Sequence, residues 1–209
     1  MENPAPLILF IYSKQKIKHV KKLTIIISAF FFLTAFTSLS DVWKNDDPHS
    51  QLGFTVTHLG VSDVSGTFND FDVKIRSGKP DFSDAVFELS ANVASIDTRV
   101  EARDNHLKSA DFFNTATYPV IKFKSTAIKS IGNDKYKLTG NLTMHGITKE
   151  VTMDLVHRGT IENDMNKKQT AGFQLTGTIN RSDFGIGPKF PPPMISDEVR
   201  IKADGEFMQ

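Results

Sequence analysis

The sequence predicts an all-β domain: an eight-stranded antiparallel barrel with one short helix near residues 99–109 covering an end. Three observations carry that expectation. From Asp41 onward, apolar residues recur with a period of two rather than 3.6. Turn-forming stretches such as GNDK at 132–135 and ENDMNKK at 162–168 separate the patterned runs, which makes successive strands antiparallel neighbours. Several runs reach about ten residues, roughly 35 Å at ~3.3 Å each, which is long for a sandwich of this size. Closing the sheet on itself removes both edges, and a two-sheet sandwich is the alternative.

Before the patterned region, Lys14, Lys16, Lys18, Lys21 and Lys22 lead into an uncharged run whose apolar centre, Leu23 to Leu33, is too short to span a bilayer comfortably. Residues 1–40 are therefore expected to be a signal peptide, cleaved between 37 and 41. An uncleaved anchor helix is the alternative. The opening MENPAPLILFIYS holds two prolines and no positive charge, so a translation start at Val20 is a second expectation. Residues 41–209 form the single folded domain.

Of the 209 residues, none is cysteine. That removes disulfides, thiolate zinc sites, cysteine nucleophiles and a lipidated cysteine together. The formal charge is +1, but the first forty residues hold five lysines and one glutamate, leaving 20 basic against 23 acidic side chains downstream. A mildly acidic domain with scattered lysines lacks the footprint that phosphate backbones demand, so nucleic acid is not an expected partner.

The strands follow in order. Leu52, Phe54, Val56 and His58 share one face while Gly53, Thr55 and Thr57 share the other. The alternation recurs in Phe71 to Ile75, Ala85 to Val93, Ile121 to Phe123, Tyr136 to Met144, Val151 to Leu155, Ala171 to Ile179 and Val199 to Phe207, with a short extra strand around Val64 to Phe68. One segment breaks the period. Thr98 and Glu101 have capping-box spacing, so a helix is expected from Arg99, with Val100, Arg103 and Leu107 on one stripe. Phe112 and Phe113 beyond it need burial, which the open mouth of a barrel supplies.

An eight-stranded barrel can fill its interior or hold one small ligand. The chain is rich in phenylalanine, yet its inward faces also carry Ala85, Ala91, Gly140, Gly177, Ala203 and Gly205, small residues that interrupt filling. A lumen walled by Phe and Leu would suit a long apolar chain, held by area rather than by directional bonds. Rings packed solidly on one another are the competing reading.

Four blocks, DPHSQLGFTVTHLGVSDVSGTFNDF, RDNHLKSADFFNTATYPVIKF, LTGNLTMHGITKEVTMDL, and INRSDFGIG followed by ISDEVRI, resemble the YceI-like family in order and spacing over about residues 43–207. The resemblance implies an exported, lipocalin-like barrel that binds a polyisoprenoid and is not an enzyme. A bound isoprenoid- or quinone-like lipid is then expected, with no other cofactor, and a periplasmic or secreted location. The segment IGPKFPPPMIS departs from the family pattern, because Pro191–Pro193 form a stiff stretch that precedes the last strand and would rim the barrel.

The expected apolar lining is Phe54, Val56, Phe68, Phe87, Leu89, Leu107, Phe112, Phe113, Phe123, Leu142, Met144 and Phe173, with His58, Arg103 and His106 as candidate head-group contacts. Each polar residue has a plainer reading. His49, His58, His106 and His145 lack the tight pairing that zinc favours, so no metal is expected, and His145 in its turn is read as bonding to backbone. Arg103 is read as pairing with Asp104, Asp111 or Glu101, and Arg181 with Asp183. No nucleophile elbow or phosphate loop occurs, and no catalytic residue is assigned. An enzyme on a lipid-like substrate and a filled barrel acting by protein contact remain the competing functions, and the oligomeric state, a homodimer included, is open.

Overall fold

Alternating side chains set the architecture. The computed structural model describes residues 41–209. Its strands are β1 (Asp41–Asn45), β2 (Gln51–His58), β3 (Ser62–Phe68), β4 (Phe71–Ser77), β5 (Val86–Asn92), β6 (Ile96–Asp97), β7 (Val120–Gly132), β8 (Lys135–Met144), β9 (Ile147–Glu162), β10 (Gln169–Asn180) and β11 (Glu198–Met208). Six of these are halves of bent strands. β1 and β2 together run antiparallel to β4 and β3, Trp43 facing Ile75 and Leu52 facing Phe68. β5 and β6 continue beside them through the pairs Ala91–Phe71 and Ile96–Phe68. Chain neighbours are thus sheet neighbours throughout, and β11 pairs with both β1 and β2 to shut the ring. This is the expected closed eight-stranded antiparallel barrel, and the β11 closure excludes the sandwich. The expected signal peptide, its cleavage between 37 and 41 and the Val20 start lie outside the described residues.

The bends have local causes. Between β1 and β2 the chain forms a 3-10 turn, Asp47–His49, whose Pro48 cannot donate to a ladder. The His49 ring nitrogen sits 2.6 Å from the Asp46 carboxylate, and the Asp46 N–H donates to the Glu206 carbonyl at 2.8 Å. Between β5 and β6 a second turn, Val93–Ser95, is capped by the Asn92 side chain, which accepts from the Ala94 N–H at 3.0 Å.

The two ends of the barrel differ. The lower end carries the 78–85 loop and is packed solid. Phe82, 1% exposed, folds inward from that loop with its ring edge-on to Trp43 at 5.4 Å and to Phe173 at 4.9 Å. The Tyr136 hydroxyl donates to the Asp81 carbonyl and pins the loop there. The upper end carries the β2–β3 turn, the helical segment, the β8–β9 turn and the 181–197 connection.

Helix α1 spans Glu101–Lys108 and lies in that upper end. Its expected capping box does not form. Arg99 adopts a left-handed conformation (φ 67°), Val100 occupies the cap position, and no side chain caps it. The reversal at Arg99 carries Thr98 out of the cap and against Asp104, whose carboxylate accepts from the Thr98 N–H at 2.8 Å and from its hydroxyl. The carboxylate that reaches back is Asp104 rather than Glu101.

Candidate functional site

Above the packed end lies a cavity of about 540 Å³, within the range of sites for small apolar ligands. The twelve expected lining residues, Phe54 through Phe173, all lie on its wall, and so do His58, Arg103 and His106. The wall continues into inward residues of the last strands, among them Leu175, Ile179, Val199 and Ile201. The period of those strands is plain in the sequence, but their aliphatic side chains carry no signal that separates wall from filler. Phe190, Met194 and Ile195 of the proline-rich connection also line it. The only clue to them was a large ring set among prolines.

The small residues act differently from the expectation. They do not leave gaps; they seat rings. A methyl group on Gly66 would meet the Phe54 ring at 2.5 Å, one on Gly140 the Phe123 ring at 2.5 Å, and one on Gly177 the Met153 sulfur at 1.9 Å. Each large side chain therefore lies flat over a bare stretch of neighbouring backbone, and the middle of the lumen stays open.

At the mouth, α1 faces the proline-rich connection. The Phe112 and Phe190 rings stack at 4.8 Å, and His106 sits edge-on to both, at 5.0 and 5.3 Å. Lys189 Nζ lies 2.6 Å from Asp111 Oδ1, while His106 Nε2 lies 3.4 Å from Asp111 Oδ2. The Lys189 ammonium beside Asp111 holds that carboxyl below its ordinary range.

Arg103 does not make the expected ion pair. Its Nε donates to the Thr98 hydroxyl at 2.7 Å and its Nη2 to the Thr98 carbonyl at 2.6 Å. Thr98 thus relays between the guanidinium and Asp104, and among the described residues no carboxylate touches Arg103 directly. The expected Arg181–Asp183 pair is likewise replaced. Arg181, 7% exposed, donates to the carbonyls of Ile186, Gly187, Phe190, Ile195 and Ser196. A buried guanidinium needs acceptors on every edge, and here the backbone of the connection wraps around it and supplies them. His145 bonds to backbone as expected, its Nδ1 being 3.0 Å from the Phe184 carbonyl.

One cluster escaped the sequence. Asp46, His49 and Glu206 bring one donor atom each within 4.8 Å of one another at the β1–β2 bend, outside the cavity wall. The hydrogen bond that the His49 ring donates to Asp46, helped by the charges of Asp46 and Glu206, raises the His49 pKa above its ordinary 6.5. Spacing in sequence could pair His49 with Asp46 but could not foresee Glu206 arriving from the last strand.

The YceI-like domain model matches residues 43–207, nearly the whole described barrel. The UPF0312 protein SA2479 of Staphylococcus aureus N315 is 39% identical over 166 residues, covering 78% of this chain and 94% of that protein. The chain belongs to the YceI-like family. Among solved structures, this YceI-like barrel is similar to Burkholderia cenocepacia BcnA, with a TM-score of 0.70 and 25% identity over 78% of this chain and 98% of that one. It is also similar to the Campylobacter jejuni YCEI protein, at 0.68 and 31% over 73% and 89%. A polyisoprenoid binding domain from Saccharophagus degradans shares the fold at 0.62 and 15% over 80% and 97%. Among the described residues of this YceI-like chain, no helix is long and apolar enough to cross a membrane.

Proposed function

We propose that this protein is an exported carrier or sequestering protein that holds one long apolar lipid, an isoprenoid, a quinone or a similar tail, inside the barrel. The observation that carries the reading is the cavity: walled mostly by apolar side chains, floored by Phe173 with Phe82 packed behind it, and holding Arg103, His58 and His106 toward the mouth. A tail burying about 300 Å² of apolar surface there gains roughly 7 kcal/mol before ordering costs. That gain needs no directional contact and tolerates related tails. His58, Arg103 and His106 would meet the polar end of such a molecule. The Saccharophagus degradans domain, described as polyisoprenoid binding, has the same fold and supports the choice of ligand class. The basic, then apolar, segment before residue 41 supports export, with residues 1–40 removed and the product periplasmic or secreted.

The test is native mass spectrometry of the protein recovered from its own cells, paired with organic-solvent extraction. One hydrophobic molecule per chain is expected. A protein that is recovered empty and takes up no apolar ligand would overturn the reading.

A further inference from the structure

We propose that the upper end of the barrel docks onto a lipid bilayer surface, led by the turn between β2 and β3; the inference rests on the lipid-carrier reading above. The turn is Leu59–Gly60, closed by the Val61 N–H donating to the His58 carbonyl at 3.1 Å. Both central residues are left-handed, Leu59 at φ 51° and Gly60 at φ 70°. Two other hairpin turns of this barrel share that conformation, Asn133–Asp134 (φ 53° and 56°) and His145–Gly146 (φ 51° and 75°). They use residue types that tolerate or favour it. Leucine does not, because a bulky side chain in the left-handed region is strained.

The same leucine is also in water. Leu59 is 54% exposed and Val61 82%, so the tip combines an unfavourable backbone with unfavourable solvation. Both costs make sense if the side chains leave water when the barrel docks. The apolar surface is continuous with the cavity: the Leu59 N–H donates to the Met194 carbonyl at 3.1 Å, and Met194, 45% exposed, also lines the cavity wall. Val100, 47% exposed, precedes α1 at the same end. These exposed residues stand on three separate connections at the upper end, Met194 reaching the cavity wall, which suits a planar apolar phase. Charges there are mixed, Arg99, Lys108 and Lys189 standing against Glu101, Asp183 and Asp197, so insertion rather than lipid charge supplies the attraction.

The chain has no cysteine, so a single introduced one can be labelled uniquely. Full-length Val61→Cys and, at the opposite end, Ile131→Cys are each given an environment-sensitive fluorophore and mixed with phosphatidylcholine vesicles. A blue shift at position 61 and none at 131 is expected. No shift at 61, or an equal shift at 131, overturns the docking mode, the second result showing a tether elsewhere or contact through another face. Uptake of dansylated undecanoic acid without vesicles is read on the same samples. Uptake without a shift at 61 removes the docking and leaves the carrier, whereas absent uptake removes the carrier. Leu59→Asn suits the turn better than leucine, so it folds. It is expected to weaken vesicle binding about tenfold while uptake stays within about twofold. Unchanged vesicle binding overturns the proposal.

Discussion

Gly66 illustrates how single residues shape the lumen. The Phe54 ring lies where a Gly66 side chain would be, and it has free space on its other side. In Gly66→Ala the ring is expected to swing into the cavity and the Thr98 methyl group, 2.8 Å from the new carbon, to give with it, costing about 2 kcal/mol in urea unfolding and lowering uptake of an apolar probe. Gly140→Ala is expected to cost more, about 3 kcal/mol, because the new methyl group also meets the Lys124 carbonyl oxygen at 2.5 Å, and backbone cannot swing aside. Equal costs at the two sites would refute the ring-seating account. His157 supplies a pH test. Burial against Phe82 and Phe173 pushes its imidazole below the ordinary 6.5, the Asp134 carboxylate offsetting part of the effect. With the folded-state pKa depressed, the unfolded chain takes up the proton first. This contribution to stability is therefore complete above pH 6.5, is lost as pH falls through it, and levels off below the folded-state value. An NMR titration of His157 at or above 6.5 would contradict that burial.

At the scale of elements, the proline-rich connection is organised by one side chain. Its carbonyls converge on Arg181, and removing the guanidinium leaves several of them facing a buried void. Arg181→Met is expected to destabilise the protein by about 3 kcal/mol and to speed amide exchange at Phe190 and Met194, whose N–H groups bond within the connection. Arg181→Lys should rescue little, since an ammonium cannot serve acceptors spread around a plane. Unchanged exchange in both variants would show that the prolines alone hold the shape. The sequence disclosed the strands well because each has one wet face, but it understated β7. There Ser125 takes an inward position to accept from the Phe87 N–H at 2.9 Å, and the register shifts beside it, so the alternation stops being apolar halfway along. It misjudged Thr98 and Arg103 because the left-handed Arg99 turns Thr98 out of the cap onto the Asp104 carboxylate, where Arg103 meets it, and it misjudged Arg181 because the carbonyls that hold it converge only in the folded connection.

For the whole molecule, closure was legible because strand length, short turns and the need to hide both edges agree. The lining was legible because inward phenylalanines are few enough to name. Which end would be stopped was not, since that depends on Phe82 folding back from a loop, and a loop phenylalanine looks the same whether it plugs a barrel or rests on its rim. That stopper gives the vessel a floor. On the carrier reading proposed above, a tail that enters by the upper mouth leaves by it too, so filling and emptying are successive events, and a newcomer waits for its predecessor to depart. A donor and a recipient of the cargo would then meet the same face of the protein in turn, never together.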